Sequence, residues 1–358
     1  MKIPTRLLCV VLFAGLIASA GRAGQLDQTL DIYWIDSEGG GSTLIVTPNN
    51  ESVLIDTGNP GGRDPGRIVA AAKAAGLTKI DYVLLTHYHT DHFGGAAEIA
   101  QLLPVGTIFE RGVPEGDPDG KAQSTFQLQI KPWREIPAKR EKLAPGVIIP
   151  LLAVNGGPAL ELRCIAADKK RIEPTAAQAK ATNPLTGEDR TIPPSDNDNS
   201  AVFVLTFGGF KFFDGGDLTW SYEKNLVSPH NVVGAVDVYQ TDHHGLDVSN
   251  NPILVQSLTP TVAVMNNGPK KGGSAVAFAA LKSVKSLRAL YQVHQSYNVP
   301  AEENAAAEFV ANHGALVRQD AVRCEANLIK LSVAPDGKNY TVSIPATGHT
   351  RTFQTTAK

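Results

Sequence analysis

The sequence predicts an α/β protein in which two β-sheets pack face to face with helices outside. Strand-like runs come in groups with helical segments interleaved, and this pattern occurs twice along the chain. Acidic and imidazole residues stand at strand ends in both halves. The composition is 42% hydrophobic and 19% charged, with plentiful glycine and proline, which describes a loop-rich globular chain rather than a coiled coil or a disordered polymer.

The first 23 residues stand apart from that fold. Lys2 and Arg6 precede an apolar run over residues 7–17, and Ala18-Ser19-Ala20 follows as a small-residue cleavage site. The run is shorter than the ~20 apolar residues that span a bilayer. It reads as a secretory signal cleaved after Ala20 or Ala23, so the mature protein is expected to be secreted or periplasmic, with no membrane span. Cleavage after Ala20 removes Lys2 and Arg6 and takes the formal net charge from −2 to −4. A mildly acidic chain has no global attraction for nucleic acid, and no stable complex with it is expected. Cys164 and Cys324 remain after cleavage. Export permits a disulfide between them, and two buried thiols are the alternative.

One domain is expected over residues 27–349. Strands at 29–35 and 42–47 flank a glycine-rich turn, and a strand at 52–55 ends in Asp56-Thr57-Gly58. A helix over 66–75, stopped by Gly76, leads to a strand at 80–85, and a helix over 96–103 follows the polar stretch after it. Residues 112–198 read as a loop-rich insertion. It holds a short helix at 124–135, a hairpin of 147–154 with 159–166, and an aperiodic polar stretch at 168–195 with the length of a lid or mobile insertion. A hairpin of 201–207 with 210–213 ends in Asp214-Gly215-Gly216-Asp217. Then come a helix at 222–226, a strand at 236–240, a helix at 251–257, a strand at 261–265, a helix at 275–283, a strand at 289–293 and a helix at 302–311. A hairpin of 327–334 with 339–344 closes the fold.

The chemistry concentrates after the strand at 80–85. There His87, His89, Asp91 and His92 form H-x-H-x-D-H, in a chain with only 9 histidines. Imidazole and carboxylate are ordinary ligands for zinc and other divalent metals, and a strand end aims several of them into one pocket. The cluster is therefore read as a metal site. The helix over 96–103 starts beside it, and a helix amino terminus favours anions.

Asp56-Thr57-Gly58, the His87/His89/Asp91/His92 cluster, Gly216-Asp217 and His244-Gly245 resemble, in that order, the motifs of the metallo-β-lactamase-fold hydrolases. The resemblance covers most of the mature chain and implies an αββα sandwich with two divalent metal ions, zinc or alternatively manganese, at the sheets' edge. It implies that His87 and His89 bind the first ion, Asp91, His92 and His244 the second, and Asp217 both, with Asp56 supporting from behind. One departure stands out: no histidine occurs between Phe93 and Pro229, where many members have one. The corresponding segment is Asp196-Asn197-Asp198-Asn199-Ser200, with Asn199 or Asp198 expected nearest the site. In this the chain is similar to the ComEC-type competence-protein hydrolase domain and its free-standing exported relatives. The first site is then one imidazole short, which makes manganese or a mixed site more credible and points away from β-lactam cleavage. Gly245 after His244 favours His244 over His243 as ligand, leaving His243 to face substrate or to support.

The resemblance implies metal-assisted hydrolysis, with Asp91 and Asp217 orienting a hydroxide whose parent water has its pKa lowered towards ~7. Asn199 is a candidate oxyanion donor, Asp242 a candidate acceptor behind an imidazole, and Lys270 and Lys271 candidates to contact an anionic substrate. Phosphodiesters lead among substrates. Esters or lactones are the alternative, and a non-catalytic metal-binding or sensing module is the reading from another class.

Overall fold

Apolar side chains alternate along the inner strands so that each of these serves two cores. In the first strand, Leu30, Ile32 and Trp34 face the opposite sheet while Tyr33 faces the helices. In a strand of the second sheet, Phe203, Leu205 and Phe207 face inward while Val202 and Val204 turn outward. A two-residue period with apolar side chains on both faces requires cover on both, which an αββα sandwich supplies. The structure is a computed structural model and describes residues 27–318 and 321–356. The segment read as an export signal lies outside the described residues.

In the first half, β1 (Leu30–Trp34), β2 (Thr43–Val46) and β3 (Ser52–Ile55) form an antiparallel meander. The strands β4 (Ile80–Leu84), β5 (Val105–Glu110) and β6 (Lys139–Lys142) then add in parallel. Parallel pairing needs crossovers. They are α1 (Arg63–Ala74), then α2 (Thr90–Phe93) with α3 (Ala96–Leu102), then α4 (Phe126–Arg134).

The second half repeats the scheme. Strands β7 (Leu160–Ala167) and β8 (Lys170–Arg171) precede the hairpin of β9 (Val202–Phe207) and β10 (Phe210–Asp214). From β10 the parallel series continues through α5 (Trp220–Val227), β11 (Val238–Gln240), α6 (Pro252–Leu258), β12 (Val262–Met265), α7 (Ala275–Lys282), β13 (Ala289–His294) and β14 (Val310–Asn312). A small ribbon, β15 (Leu316–Arg318) and β16 (Ala321–Val322), stands apart. Finally β17 (Ile329–Val333), β18 (Asn339–Ile344) and β19 (His349–Gln354) return to the first sheet, with β17 antiparallel to β1.

Several expectations change. Residues 147–154 do not form a strand: Pro150 has no N–H to give, and only an isolated Ile148–Arg163 bridge joins the segment to β7. The helix expected at 302–311 is replaced by two short 3₁₀ turns and β14. Side chains compete for that backbone, since Gln292 Oε1 accepts from the Ala305 N–H (2.6 Å) and the Asn304 amide donates to the Ser296 carbonyl (3.1 Å). Strand β6, Lys-Arg-Glu-Lys, lacks any apolar alternation because it is a charged sheet edge, a device that discourages further pairing. The stretch at 168–195 holds β8 and one 3₁₀ turn and packs over α5. There Asn183 donates to the Val227 carbonyl at 2.9 Å, and the Arg190 guanidinium stacks on Trp220 at 4.1 Å. Both cysteines are free. Cys164 is buried between the sheets, while Cys324 lies against Asp36 and Arg67, so of the two alternatives the separate thiols hold and no bridge joins them.

Candidate metal centre

The carboxyl ends of parallel strands from both sheets meet along one edge, the usual place for a site in such folds. Asp56 follows β3, the H-x-H-x-D-H stretch follows β4, Asp217 follows β10, and Asp242-His243-His244 follows β11. Close packing there requires glycine at two turns. A Cβ on Gly41 would stand 2.6 Å from His92 Nδ1, and one on Gly216, at φ +56°, would stand 2.8 Å from the Thr86 side chain.

Asp217 lies at the middle, 2% exposed. Its Oδ2 is 3.2 Å from His92 Nε2, 3.3 Å from His243 Nε2 and 3.9 Å from His87 Nε2, and its Oδ1 is 3.3 Å from His244 Nε2. His87 Nε2 in turn meets His89 Nδ1 at 3.0 Å. Asp91 Oδ2 is 3.5 Å from His92 Nε2 and 3.9 Å from His244 Nε2 and is ion-paired with Lys271. The donor atoms of Asp91, His92, Asp217 and His244 all lie within 4.8 Å of one another.

Supporting bonds fix the imidazoles. Asp56 Oδ2 bonds His92 Nδ1 at 2.6 Å and accepts from the Thr86 hydroxyl at 2.7 Å, while its Oδ1 accepts from the Thr86 N–H at 2.9 Å. This leaves His92 Nε2 facing the cluster. On the opposite side Asp119 Oδ1 holds His89 Nε2 at 3.0 Å, which turns Nδ1 inward, and Asp119 is itself fixed by the Asp196 N–H at 2.8 Å.

Charge follows from this packing. Burial pushes the Asp217 carboxyl upward, but the imidazoles of His243, His92 and His244 outweigh it and hold the group well below the usual carboxylate range. For His92, burial favours the neutral ring, yet Asp217, Asp56 and Asp91 raise its pKa well above the ordinary value. His87 is driven well below that value by burial and by His92 and His89.

The residues fit divalent ions. His92 Nε2, both nitrogens of His244 and Asp217 Oδ1 are buried and make no hydrogen bond. Buried polar atoms are rarely left without partners. Here several converge, all of them ligand types for zinc or manganese.

Other expectations need correction. Asn199 turns away and donates to Asp196 Oδ1 at 3.0 Å. Asn197 takes the place nearest the histidines, its Nδ2 3.4 Å from His243 Nε2 and its Oδ1 unpaired. Asp198 accepts from Thr219 Oγ1 at 2.6 Å. The 3₁₀ turn at Asp196–Asn199 sets these directions, which residue spacing alone does not disclose. The two lysines expected to contact an anionic substrate need no correction: Lys270 is exposed, and Lys271 ion-pairs with Asp91. Asp242 supports no imidazole: it is buried beside Glu223, with neither oxygen hydrogen-bonded in good geometry. Asp119 went unnoticed in the sequence because it sits in an irregular loop 30 residues from its histidine.

The chain is similar to several known proteins. The chain is 23% identical over 259 residues to competence protein ComA of Neisseria gonorrhoeae, covering 72% of this chain and 30% of that protein. It is 26% identical over 253 residues to ComE operon protein 3 of Bacillus subtilis, covering 66% and 28%. It thus spans less than a third of the length of these two competence proteins. A shorter stretch of 90 residues is 33% identical to an atrochrysone carboxyl ACP thioesterase of Passalora fulva, covering 25% of this chain and 26% of that one. Among solved structures, the metallo-beta-lactamase fold protein YhfI from Bacillus subtilis is similar at 14% identity and a TM-score of 0.40, over 74% of this chain and 96% of that one. Residues 36–246, more than half of the sequence, match the metallo-beta-lactamase superfamily, and the chain therefore belongs to that superfamily of metal-dependent hydrolase folds.

Proposed function

We propose that this chain is an exported, metal-dependent hydrolase whose substrates are phosphodiesters. The observation that carries the reading is the set of buried, unpaired donor atoms on His92, His244 and Asp217, with Asp91 beside them. A merely structural polar cluster would have its atoms satisfied. His87, His89 and Asp217 would hold one divalent ion, and Asp91, His92, His244 and the other oxygen of Asp217 a second. Zinc or manganese bound there supplies Lewis acidity towards a phosphoryl or carbonyl oxygen and lowers the pKa of a water.

The chain's own groups do the rest. Asp217 keeps its charge in a buried place, because three imidazoles face it. Asp56 and Asp119 hold His92 and His89 in single orientations, so no rearrangement is needed as the reaction proceeds. Asp91, with 20% of its side chain exposed, is positioned to accept a hydrogen bond from an incoming water. Lys271, at the rim on Asp91, puts a positive charge where an anionic substrate must pass. Similarity to the two competence proteins supports phosphodiesters, and the amino-terminal sequence pattern supports export to the periplasm or outside the cell.

The thioesterase similarity favours a second reading, hydrolysis of esters. Both readings are tested on protein purified without chelator, by metal analysis and by turnover of bis-p-nitrophenyl phosphate, a thioester, a lactone and a β-lactam. Preferred turnover of the phosphodiester is expected. Preferred turnover of the thioester or lactone would replace the first reading by the second, and bound metal without turnover of any of them would make the chain a binding module.

A further inference from the structure

We propose that His243, and not a residue of the 196–200 segment, is the third imidazole of the first metal site. The inference rests on the metal-dependent reading above and changes which residues build the site.

The backbone carries the argument. His243 (φ 53°, ψ 42°) and His244 (φ 56°, ψ 16°) are consecutive left-handed residues inside one tight turn. Non-glycine residues seldom adopt that conformation even singly, and such strain persists where the surroundings impose it, often at functional sites. The consequence is visible in the side chains. In an extended strand two neighbours would point to opposite faces. Here both rings reach the same carboxylate, His243 Nε2 at 3.3 Å from Asp217 Oδ2 and His244 Nε2 at 3.3 Å from Asp217 Oδ1. Each histidine thus serves one oxygen of the residue expected to bridge two ions. The Oδ2 atom is shared: besides His243 it faces His92 Nε2 at 3.2 Å and, at 3.9 Å, His87 Nε2, which in turn meets His89 Nδ1.

The surroundings suit a ligand. His243 is 8% exposed, and its other ring nitrogen lies 3.4 Å from the Ser249 hydroxyl, which donates to the Leu218 carbonyl. Nε2 is left facing Asp217, with Asn197 Nδ2 3.4 Å away. Asn197 therefore stands beside His243, and the pair explains how the segment between Phe93 and Pro229 can lack histidine without leaving the site an imidazole short. His87, His89, His243 and Asp217 would then supply three nitrogens and one oxygen, a donor combination suited to zinc.

The test is metal binding rather than turnover. Metal-free wild-type, His243→Asn and His244→Asn proteins are titrated with Zn²⁺, bound ions are counted by elemental analysis, and Co²⁺ spectra are recorded. Asparagine tolerates the left-handed backbone, so His243→Asn removes the imidazole and keeps the turn. Metal-free His243→Asn is expected to unfold no earlier than metal-free wild type, while losing one bound ion or at least tenfold in affinity for it. Its Co²⁺ spectrum should differ from that of His244→Asn, because the two variants empty different positions. Retention by His243→Asn of the wild-type ion count, affinity and spectrum would overturn the proposal and leave the metal-dependent reading intact. A wild-type protein that binds no Zn²⁺ or Mn²⁺ would overturn both.

Discussion

Asp91, His92, Asp217 and His244 on one side, and Asp36, His294 and Cys324 on the other, are clusters of ligand-type side chains, and each brings its donor atoms within 4.8 Å. They differ in what neutralises them. Asp36 Oδ1 meets His294 Nε2 at 2.7 Å, and its Oδ2 meets Cys324 Sγ at 2.8 Å and Arg67 NH1 at 3.0 Å. The same guanidinium lies 3.3 Å from Cys324 Sγ and 3.2 Å from Glu38. A fixed cation occupies the place an ion would take, and the bonds of Asp36 are filled. In the first cluster the nearest lysine reaches only Asp91 at the rim, and Asp217 Oδ1, His92 Nε2 and both nitrogens of His244 make no hydrogen bond, the imidazoles and the carboxylate only facing one another. Proximity of ligand atoms is thus a poor guide to metal by itself. Unsatisfied atoms together with surplus negative charge are a better one.

The largest effect that would break this contrast concerns the open cluster. Exchanging His87 and His89 together for alanine should remove the first ion and lower hydrolysis by ~10³-fold or more, since Lewis acidity and a low-pKa water are lost together. Metal analysis alongside the initial rate on the best substrate checks this. Undiminished turnover would mean that the cluster is not the reaction centre.

The closed cluster should respond in the opposite sense. Asp36→Asn leaves Arg67 and His294 without the buried carboxylate they share, and loss of one member of a buried charge pair costs about 3 kcal/mol. The bound-ion count should be unchanged. Denaturant unfolding with metal analysis separates these outcomes, and loss of an ion in Asp36→Asn would make the second cluster a metal site after all.

How far the sequence disclosed this contrast depends on how local each feature is. His87, His89, Asp91 and His92 lie within six residues after one apolar strand, so their convergence follows from chain direction alone. Asp217 and His244 were legible through resemblance, Gly216-Asp217 and His244-Gly245 matching the later motifs of the family. The architecture was legible because strand-like runs come in groups with helical segments interleaved, twice along the chain. The failures need information that spacing lacks. The place of Asn197 depends on the phase of a 3₁₀ turn, and that of His243 on two successive left-handed residues. The second cluster joins residues 258 and 288 positions apart, and nothing local links them.

A third way of neutralising a buried carboxylate lies beneath the metal centre. Glu223 and Asp242 are fully buried together, and Glu223 accepts from the N–H groups of Asn250 and Asn251 at 2.7 and 2.8 Å. Burial, and for Asp242 the charge of Glu223, push both pKa values up. With no cation between the two acids, burial and their mutual repulsion favour the protonated form, and a proton does here what Arg67 does for Asp36. The sign of the pH effect follows. A carboxyl whose folded pKa is raised binds a proton on folding, so its contribution is fully present below the unfolded value of 4.5 and is lost as the pH rises through the folded pKa. Glu223→Gln removes one titrating member and keeps an amide oxygen for the Asn250 and Asn251 N–H groups. In that window the stability of metal-free wild type relative to Glu223→Gln should fall by about 1.4 kcal/mol per pH unit. Unfolding both proteins at several pH values between about 5 and 8 gives the difference directly. Parallel curves would mean that the pair is ionised in the folded protein and needs a cation the proton does not replace, which would place it with the open cluster rather than the closed one.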